Sequence, residues 1–254
     1  MRTYAGRGIH GETVTTLGRR IASGYYKPGQ LLYIDALGEE LGISRTAIRE
    51  ALKVLAARGM VDSRPKRGTV VMDRSEWNLL DADLIAWQYE ASPSLDFLRQ
   101  LSEMRFIIEP EAARLAAARR DQDDLRQLRE ALDAMGAAGR DAEATILADL
   151  AFHRALLLAT HNELLTQMEV VIEAGLRVRD QLVHGRGDWK DPLPEHEAVF
   201  AAVAAGKGDQ ASRAIRRLLD RALREAVELV EPEAEPVAAP PPAKRQRRTA
   251  RSGR

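Results

Sequence analysis

The chain has 254 residues, of which 45% are hydrophobic and 5% aromatic, and its 38 Lys and Arg balance 38 Asp and Glu. It contains no Cys, which excludes disulfides, thiolate metal sites and cysteine nucleophiles. No stretch approaches the roughly 20 apolar residues that span a bilayer, and the N-terminus lacks the apolar segment of a signal peptide. The sequence therefore predicts a cytoplasmic protein that does not enter the membrane.

The charge is unevenly distributed along the chain. Residues 1–75 carry 13 Lys and Arg against 7 Asp and Glu, residues 76–243 carry 19 against 31, and residues 244–254 carry 6 basic residues and no acidic one. Phosphate neutralisation requires clustered cations. The pattern indicates a DNA-binding N-terminal module on an acidic body, although ordinary variation in surface charge is the alternative.

The chain begins with a predicted flexible arm, residues 1–12, in which no apolar periodicity is visible. A first helix is expected from Thr15, because Leu17 and Ile21 lie at helical spacing, and it should stop at Gly24.

Two further helices with a tight turn between them are predicted next. The first covers 35–41 and ends at Gly42, where a left-handed C-cap is expected. The second covers 45–58, with Ser44 as its N-cap. This order is typical of a helix-turn-helix.

Short alternating stretches at 60–63 and 69–71, separated by a basic run, predict a β-hairpin. Residues 13–72 are thus expected to form a winged helix-turn-helix domain.

The remainder of the chain is predicted to be helical up to residue 230, so the fold class is mostly α. Residues 73–92 are expected to be an amphipathic connector that packs on a domain, and residues 93–230 an all-helical bundle of about six helices. Apolar residues at helical spacing define the connector: Trp77, Leu80, Leu84 and Trp87. Breaks in the bundle are expected near 120–121, 136–141, 160–161, 185–194 and 206–209. Residues 231–254, rich in Pro and then basic, are predicted to be a disordered tail, with a non-specific DNA contact as the alternative.

The candidate DNA contacts lie at the start of the second helix of the predicted motif, which faces base edges in the major groove. They are Ser44, Arg45, Thr46 and Arg49. The two Arg lie one turn apart, and each can grip guanine bidentately, which is worth about 1–3 kcal/mol of discrimination. Ser44 and Thr46 can bond phosphate oxygens. The alternative is that both Arg are merely solvated.

The wing tip, formed by Lys66, Arg67 and Gly68, is expected to reach the flanking groove or backbone of the DNA.

The predicted domain resembles the GntR superfamily of regulators, in residues 24–29, 41–52, 59–61 and 67–71. The resemblance implies DNA contacts by Arg45, Thr46, Arg49 and the wing tip around Gly68.

The resemblance has one departure, at Tyr33-Ile34-Asp35, where the family usually has Ser-Glu-Arg or similar. The contact from that Arg is therefore absent.

A candidate metal site lies in the C-terminal part. Asp149 and His153 are one helical turn apart, so they project from one face, and His196 on a later helix can converge on them across a bundle. A purely structural Asp–His pair is the alternative.

The motifs 105–109, 149–153, 159–162, 195–196 and 208–209 resemble the C-terminal ligand-binding domain, called FCD, of the FadR subfamily. In that family an Asp and three His hold a divalent ion such as zinc, and an organic acid effector binds beside it.

The match to the FCD metal site is incomplete, because Leu218 stands where the last His is expected. Three protein ligands plus water or effector still make an acceptable zinc shell. Arg105 is the candidate for recognising the effector carboxylate, and a salt bridge to Glu109 is the equal alternative. No role is assigned to His10, His161 or His184.

The connector 76–87 resembles the sugar-acid-responsive, DgoR type of the family. The sequence thus predicts a homodimeric repressor that binds operator DNA and is released by a sugar acid. The alternatives within the family are a response to a hydroxy acid or a fatty-acid derivative, activation, or action without metal. A metal-dependent enzyme is disfavoured because no catalytic motif is present, and an architectural DNA-binding protein is disfavoured by polar residues within apolar helices.

Overall fold

The computed structural model describes residues 9–64, 68–91, 94–139, 141–183 and 191–230. The expected wing-tip residues Lys66 and Arg67 and the expected tail fall outside these ranges.

The described chain is mostly helical, as predicted. Its helices are α1 (Ile9–Ala22), α2 (Ile34–Leu41), α3 (Arg45–Ala57), α4 (Ala82–Ala91), α5 (Leu95–Arg119), α6 (Gln122–Ala138), α7 (Ala142–Leu158), α8 (Glu163–Thr166), α9 (Glu169–Val183), α10 (Leu193–Ala204) and α11 (Gly208–Val230). Its strands are β1 (Leu31–Leu32), β2 (Val61–Arg64) and β3 (Gly68–Val71), and a 3-10 turn covers Arg74–Glu76.

The N-terminal unit, which we call the head, contains α1 to α3 and an antiparallel sheet in the order β1-β3-β2. The apolar positions of all three helices and both longer strands meet in one core. Gly42 ends α2 with a φ of 66° in the left-handed region, as predicted. Gly59 also has a positive φ, and a Cβ there would lie 2.2 Å from the carbonyl oxygen of Glu76. This position therefore requires glycine.

Two details of the head differ from the sequence prediction. Helix α1 begins at Ile9, so residues 9–12 belong to a helix and not to the predicted arm. Thr13 and Val14 are fully buried, and this tertiary packing overrides the weak helix propensity around Gly11. Leu80, predicted to pack inward, is 45% exposed because it precedes α4 and does not share its face.

The C-terminal unit, which we call the sensor, is a bundle of α5 to α11. Helix α5 packs against α11, α6 against α7, and α10 against α11. The largest cluster of its core is rich in Ala and Leu, which allows close helix approach. The breaks predicted near 120–121, 136–141, 160–161 and 206–209 are present, and a further one separates α8 from α9. Most of the break predicted at 185–194 lies outside the described residues. Nothing in the local sequence there, Gln167-Met168, indicates a stop.

Helix α4 joins the two units by packing on both. Leu84 and Trp87 lie in the head core, and Ile85 lies in a cluster with Leu95 and Val171 of the sensor. A Cβ at Gly18 of α1 would lie 2.3 Å from the Trp87 ring, so α1 and α4 are in close contact. Over the residues described, no helix has both the length and the apolar character to cross a membrane.

Candidate DNA interface and sensor cavity

The N-terminal end of α3 presents polar side chains to solvent. Ser44, Arg45, Thr46 and Arg49 are all exposed, while Ile48 on the opposite face is fully buried. The Ser44 hydroxyl accepts a hydrogen bond from the Ala47 N–H at 3.3 Å, which confirms the predicted N-cap. The capped end leaves the remaining N–H groups of the first turn directed outward, where they favour an anion such as phosphate.

Arg45 has an acidic neighbour that the sequence prediction did not identify. Its guanidinium forms an ion pair with Asp35 of α2. Asp35 is the third residue of Tyr33-Ile34-Asp35, where the resemblance led us to expect an Arg. An acidic side chain therefore stands at that position. Both side chains are largely exposed, and such a pair contributes little to stability.

Gly68 of the predicted wing tip is the first residue of β3. Its φ of 90° lies in the left-handed region, which glycine adopts without strain. Strand β3 pairs with β2, the other strand of the predicted hairpin, and with β1, so pairing with β1 joins the hairpin to the rest of the sheet.

The three candidate metal ligands come together in the sensor. Asp149 and His153 project from α7 and His196 from α10, and their ligand atoms lie within 4.8 Å of one another. The Asp149 Oδ1 is 3.0 Å from His196 Nε2 and 3.1 Å from His153 Nε2. All three residues are buried. One carboxylate and two imidazoles are a donor set that suits zinc and related divalent ions.

The outer ring nitrogens of both His face oxygen atoms, in an ion-pair contact for His153 and in a hydrogen bond for His196. The Nδ1 of His153 lies 2.6 Å from Oε2 of Glu109, and Nδ1 of His196 lies 2.8 Å from the carbonyl oxygen of Pro192. Metal-binding His are commonly oriented in this way, with one nitrogen toward the ion and the other held by a carboxylate or carbonyl. The buried residues therefore fit a divalent ion. Sequence reasoning did not assign this role to Glu109.

The pKa values of the cluster describe a network of alternating charges. Burial disfavours the charged form of His153, but the negative charges of Glu109 and Asp149 raise its pKa to about 9. Burial likewise opposes ionisation of Glu109, yet Arg105 and His153 lower its pKa to about 2. Despite its burial, Asp149 has a pKa held well below the usual range by His196 and His153. A bound metal would take the place of the His153 proton, because the ligand is the neutral imidazole.

Arg105 lies inside this network. Its Nε donates to Glu109 Oε1 at 2.6 Å, and one terminal nitrogen lies 3.4 Å from His153 Nε2. The salt bridge that the sequence left as an alternative is therefore present. Arg105 also lines the adjoining cavity, so it is positioned beside any ligand there while already paired.

A small cavity that opens to solvent adjoins the cluster, and its volume is about 30 Å³. Among the residues lining it, Asp149, His196 and Leu218 belong to the predicted metal site and its departure from the family. The cavity is also lined by charged residues that sequence reasoning missed: Arg179, Glu195, Arg221 and Glu225. They come from three helices, so no local motif could have grouped them.

A second group of acidic residues and His, formed by Asp121, Asp124 and His161, has a structural explanation. Asp121 and Asp124 cap the start of α6 reciprocally, which satisfies backbone N–H groups. His161 Nε2 lies 2.7 Å from Asp124 Oδ2, although no partner was visible for His161 in the sequence. Both carboxylates are thus already occupied.

Two family models match the chain, one in the head and one in the sensor. The family described as "Bacterial regulatory proteins, gntR family" matches residues 11–71, and the FCD domain matches residues 100–221. The galactonate operon transcriptional repressor of Escherichia coli K12 is 35% identical over 85% of this chain and 96% of its own length.

The chain belongs to the GntR family of bacterial transcription regulators. Other relatives include the HTH-type transcriptional regulator LutR of Bacillus subtilis 168, which is 35% identical over 77% of this chain and 90% of its own length. The Glc operon transcriptional activator of Escherichia coli K12 is 29% identical over 78% and 81%. The matched proteins are regulators and not enzymes.

Among solved structures, the fold is similar to that of Lar, which controls the expression of the Listeria monocytogenes agr system. The two have a TM-score of 0.58 at 18% identity, over 88% of this chain and 98% of that chain. At this identity the likeness supports the fold alone.

Proposed function

We propose that this GntR regulator is a homodimeric repressor, released from its operator when a small hydroxylated acid binds in the sensor beside a divalent metal such as zinc. The observation that carries the proposal is the buried convergence of Asp149, His153 and His196 on a cavity that three arginines also line. The galactonate repressor among its relatives favours a sugar acid as the effector.

On the DNA side, the proposal uses Arg45 and Arg49 to read bases, and Ser44 and Thr46 to bind phosphates. Gly68, with Lys66 and Arg67 of the wing tip, would contact the flanking groove or backbone. One α3 reads few base pairs, so two copies on a two-fold operator are needed for specific binding.

In the sensor, Asp149, His153 and His196 would hold the metal, with Glu109 and the Pro192 carbonyl fixing the rings. The metal would supply a Lewis-acidic position for an oxygen of the effector. Because both domains share α4, movement at the cavity can alter how the head is placed. The effector must bind one arrangement better than the other, since equal affinity for both shifts nothing.

The test is DNA binding measured by fluorescence anisotropy, on a duplex that the protein has first selected from a random-sequence pool. We expect D-galactonate, D-gluconate or L-lactate to release the zinc-loaded protein, and hexanoate to do so poorly. Chelation and Asp149→Asn should abolish the response, whereas Asp123→Asn, an exposed acid paired with Arg126, should preserve it. If no acid changes the anisotropy of the zinc-loaded protein, the effector proposal is wrong.

A second candidate is a regulator of the same kind that works without metal, and the specific observation for it is the apolar Leu218 in the cavity wall. Metal content after purification and calorimetric zinc titration distinguish the two. Under the metal-dependent proposal, Leu218→His adds a fourth ligand and should tighten zinc binding on the order of tenfold, the lower end of what supporting partners of a metal site contribute. Zinc binding by neither protein would favour the metal-free candidate.

A further inference from the structure

The cavity wall contains two buried polar atoms whose hydrogen-bonding capacity is unused. Nε of Arg179 and Oε2 of Glu195 are buried and have no hydrogen-bond partner among the described residues, while the other oxygen of Glu195 is ion-paired with Arg221. Both residues line the cavity, Arg179 from α9 and Glu195 from α10. Buried polar groups are nearly always paired in native proteins, so an unpaired one indicates a missing partner.

The two unpaired atoms are complementary in type. The Arg179 Nε is a donor only, and the Glu195 carboxylate oxygen is an acceptor only. One molecule satisfies both if it brings an acceptor for Arg179 and an O–H donor for Glu195. A carboxylate with hydroxyl groups has both, whereas a plain fatty acid lacks the donor and a polyol lacks the charge.

Arg179 is weakly engaged in its present state. Among the described residues, its one side-chain hydrogen bond joins a terminal nitrogen to Glu225 Oε2 at 3.4 Å, which is long for a charge-assisted pair. Glu225 also accepts a 2.7 Å bond from Arg221 Nε, so it is shared between two arginines. A ligand carboxylate can therefore engage Arg179 without leaving Glu225 unpaired.

Arg105 is less available than Arg179. Its Nε is taken by the 2.6 Å bond to Glu109, and its stem packs on Gly175, where an added Cβ would lie 3.1 Å from Arg105 Cδ. If Arg105 moved away from Glu109, the buried Glu109 carboxylate would keep only its contact with His153, which is strongly unfavourable.

The charge of the cavity wall is balanced. Three arginines, Arg105, Arg179 and Arg221, face three carboxylates, Asp149, Glu195 and Glu225. Arg105 is also paired with Glu109 outside the wall, so a divalent cation at Asp149 leaves one positive charge in excess, and the metal-loaded cavity favours an anion.

We propose that Arg179 binds the effector carboxylate and Glu195 accepts a hydrogen bond from an effector hydroxyl, which makes the pair the selector for hydroxy acids. This inference rests on the proposed function. It assigns effector selectivity to Arg179, which lies outside the motifs of the family resemblance, and to Glu195, for which the resemblance implied no role.

Calorimetric titration of the full-length, zinc-loaded protein with D-galactonate, D-gluconate, L-lactate and hexanoate tests the pair. Against the tightest-binding hydroxy acid, Arg179→Gln and Glu195→Gln should each weaken binding by about 10- to 100-fold, as expected when a charged group loses its hydrogen bond. Glu195→Gln should also reduce the preference for that acid over hexanoate, while Arg179→Gln should weaken both ligands alike.

The matched control is Arg177→Gln, on the same helix but paired with Glu173 and lining a different cavity beside α4. It should change affinity by less than about twofold, a change of under ~0.5 kcal/mol. Melting temperatures near that of the wild type establish that each variant is folded.

Hydroxy-acid binding that is unchanged in both Arg179→Gln and Glu195→Gln would overturn the selector while leaving the proposed function in place. If no acid binds the wild-type protein, the proposed function and the selector both fail.

Discussion

The head and the sensor each contain an arginine paired with a carboxylate, in opposite surroundings. In the head, the side chains of Arg45 and Asp35 are 71% and 61% exposed. In the sensor, those of Arg105 and Glu109 are 6% and 1% exposed. The exposed pair can exchange partners at little cost, as the proposed DNA contact of Arg45 would require. The buried pair is fixed, because either ion alone would be costly to bury. Under the proposed function, the head would use accessible charges to bind DNA, whereas the metal cluster of the sensor would be held by buried, paired ones.

The largest expected effect is a loss of stability when the buried pair is broken. Glu109→Gln removes the charge that faces both Arg105 and His153, so urea unfolding of the metal-free protein should show a loss of about 3–5 kcal/mol. The control is Glu111→Gln on the same helix, an exposed acid paired with Arg114, which should change stability by less than about 0.5 kcal/mol. Equal effects of the two variants would contradict the contrast between buried and exposed pairs.

The buried network should also make stability depend on pH. His153 has its pKa raised to about 9 in the folded protein, so its contribution is complete below about 6.5, the ordinary value. That contribution is lost as the pH rises through about 9. The melting temperature of the metal-free protein should therefore fall between pH 6.5 and 9, and His153→Gln should remove most of this fall. If the melting temperature of the wild type does not change between pH 6.5 and 9, His153 is not charged in the folded protein.

In the head, the expected effect is on binding and not on stability. Arg49→Ala should weaken binding to the selected duplex by about 1–3 kcal/mol if Arg49 grips a guanine, with unfolding free energy changed by less than about 0.5 kcal/mol. Lys53→Ala, one turn further along α3 and paired with Glu50, is the control and should weaken binding less. Fluorescence anisotropy of both variants with the selected duplex shows whether base discrimination depends on residues at the start of α3.

The smallest effect is expected at Asp35. Asp35→Asn removes the negative charge near the DNA-facing surface and frees Arg45, so affinity for the duplex should rise by roughly two- to fivefold, in line with the small energies of exposed pairs. The gain should shrink at high salt, because exposed charges are screened. Weaker binding by the variant would instead show that Asp35 orients Arg45 for base contact.

Local signals in the sequence predicted most of the head. Gly42 ends α2 through its left-handed backbone conformation, and Ser44 starts α3 by capping its first turn. The start of α1 was predicted six residues late, because the packing of Thr13 and Val14 is set by distant elements and has no local signature.

In the sensor, spacing predicted what lies on one helix and missed what different helices bring together. Asp149 and His153 are four residues apart, so their shared face is visible in the sequence, and His196 was placed with them through the family resemblance. Glu109 could be paired with Arg105 by spacing, but its contact with His153 depends on how α5 packs on α7. Arg179 and Glu195 depend on the approach of α9 and α10, which no period in the sequence encodes.

The two-sided packing of α4 has a practical consequence for dividing the protein. A DNA-binding fragment that stops at the end of the wing would lose Leu84 and Trp87 from its core and leave the surface around Gly18 uncovered. Extending it through residue 91 restores that core but takes Ile85 away from the cluster it shares with Val171. The border between the two units therefore runs along a helix, and no single cut yields two intact halves.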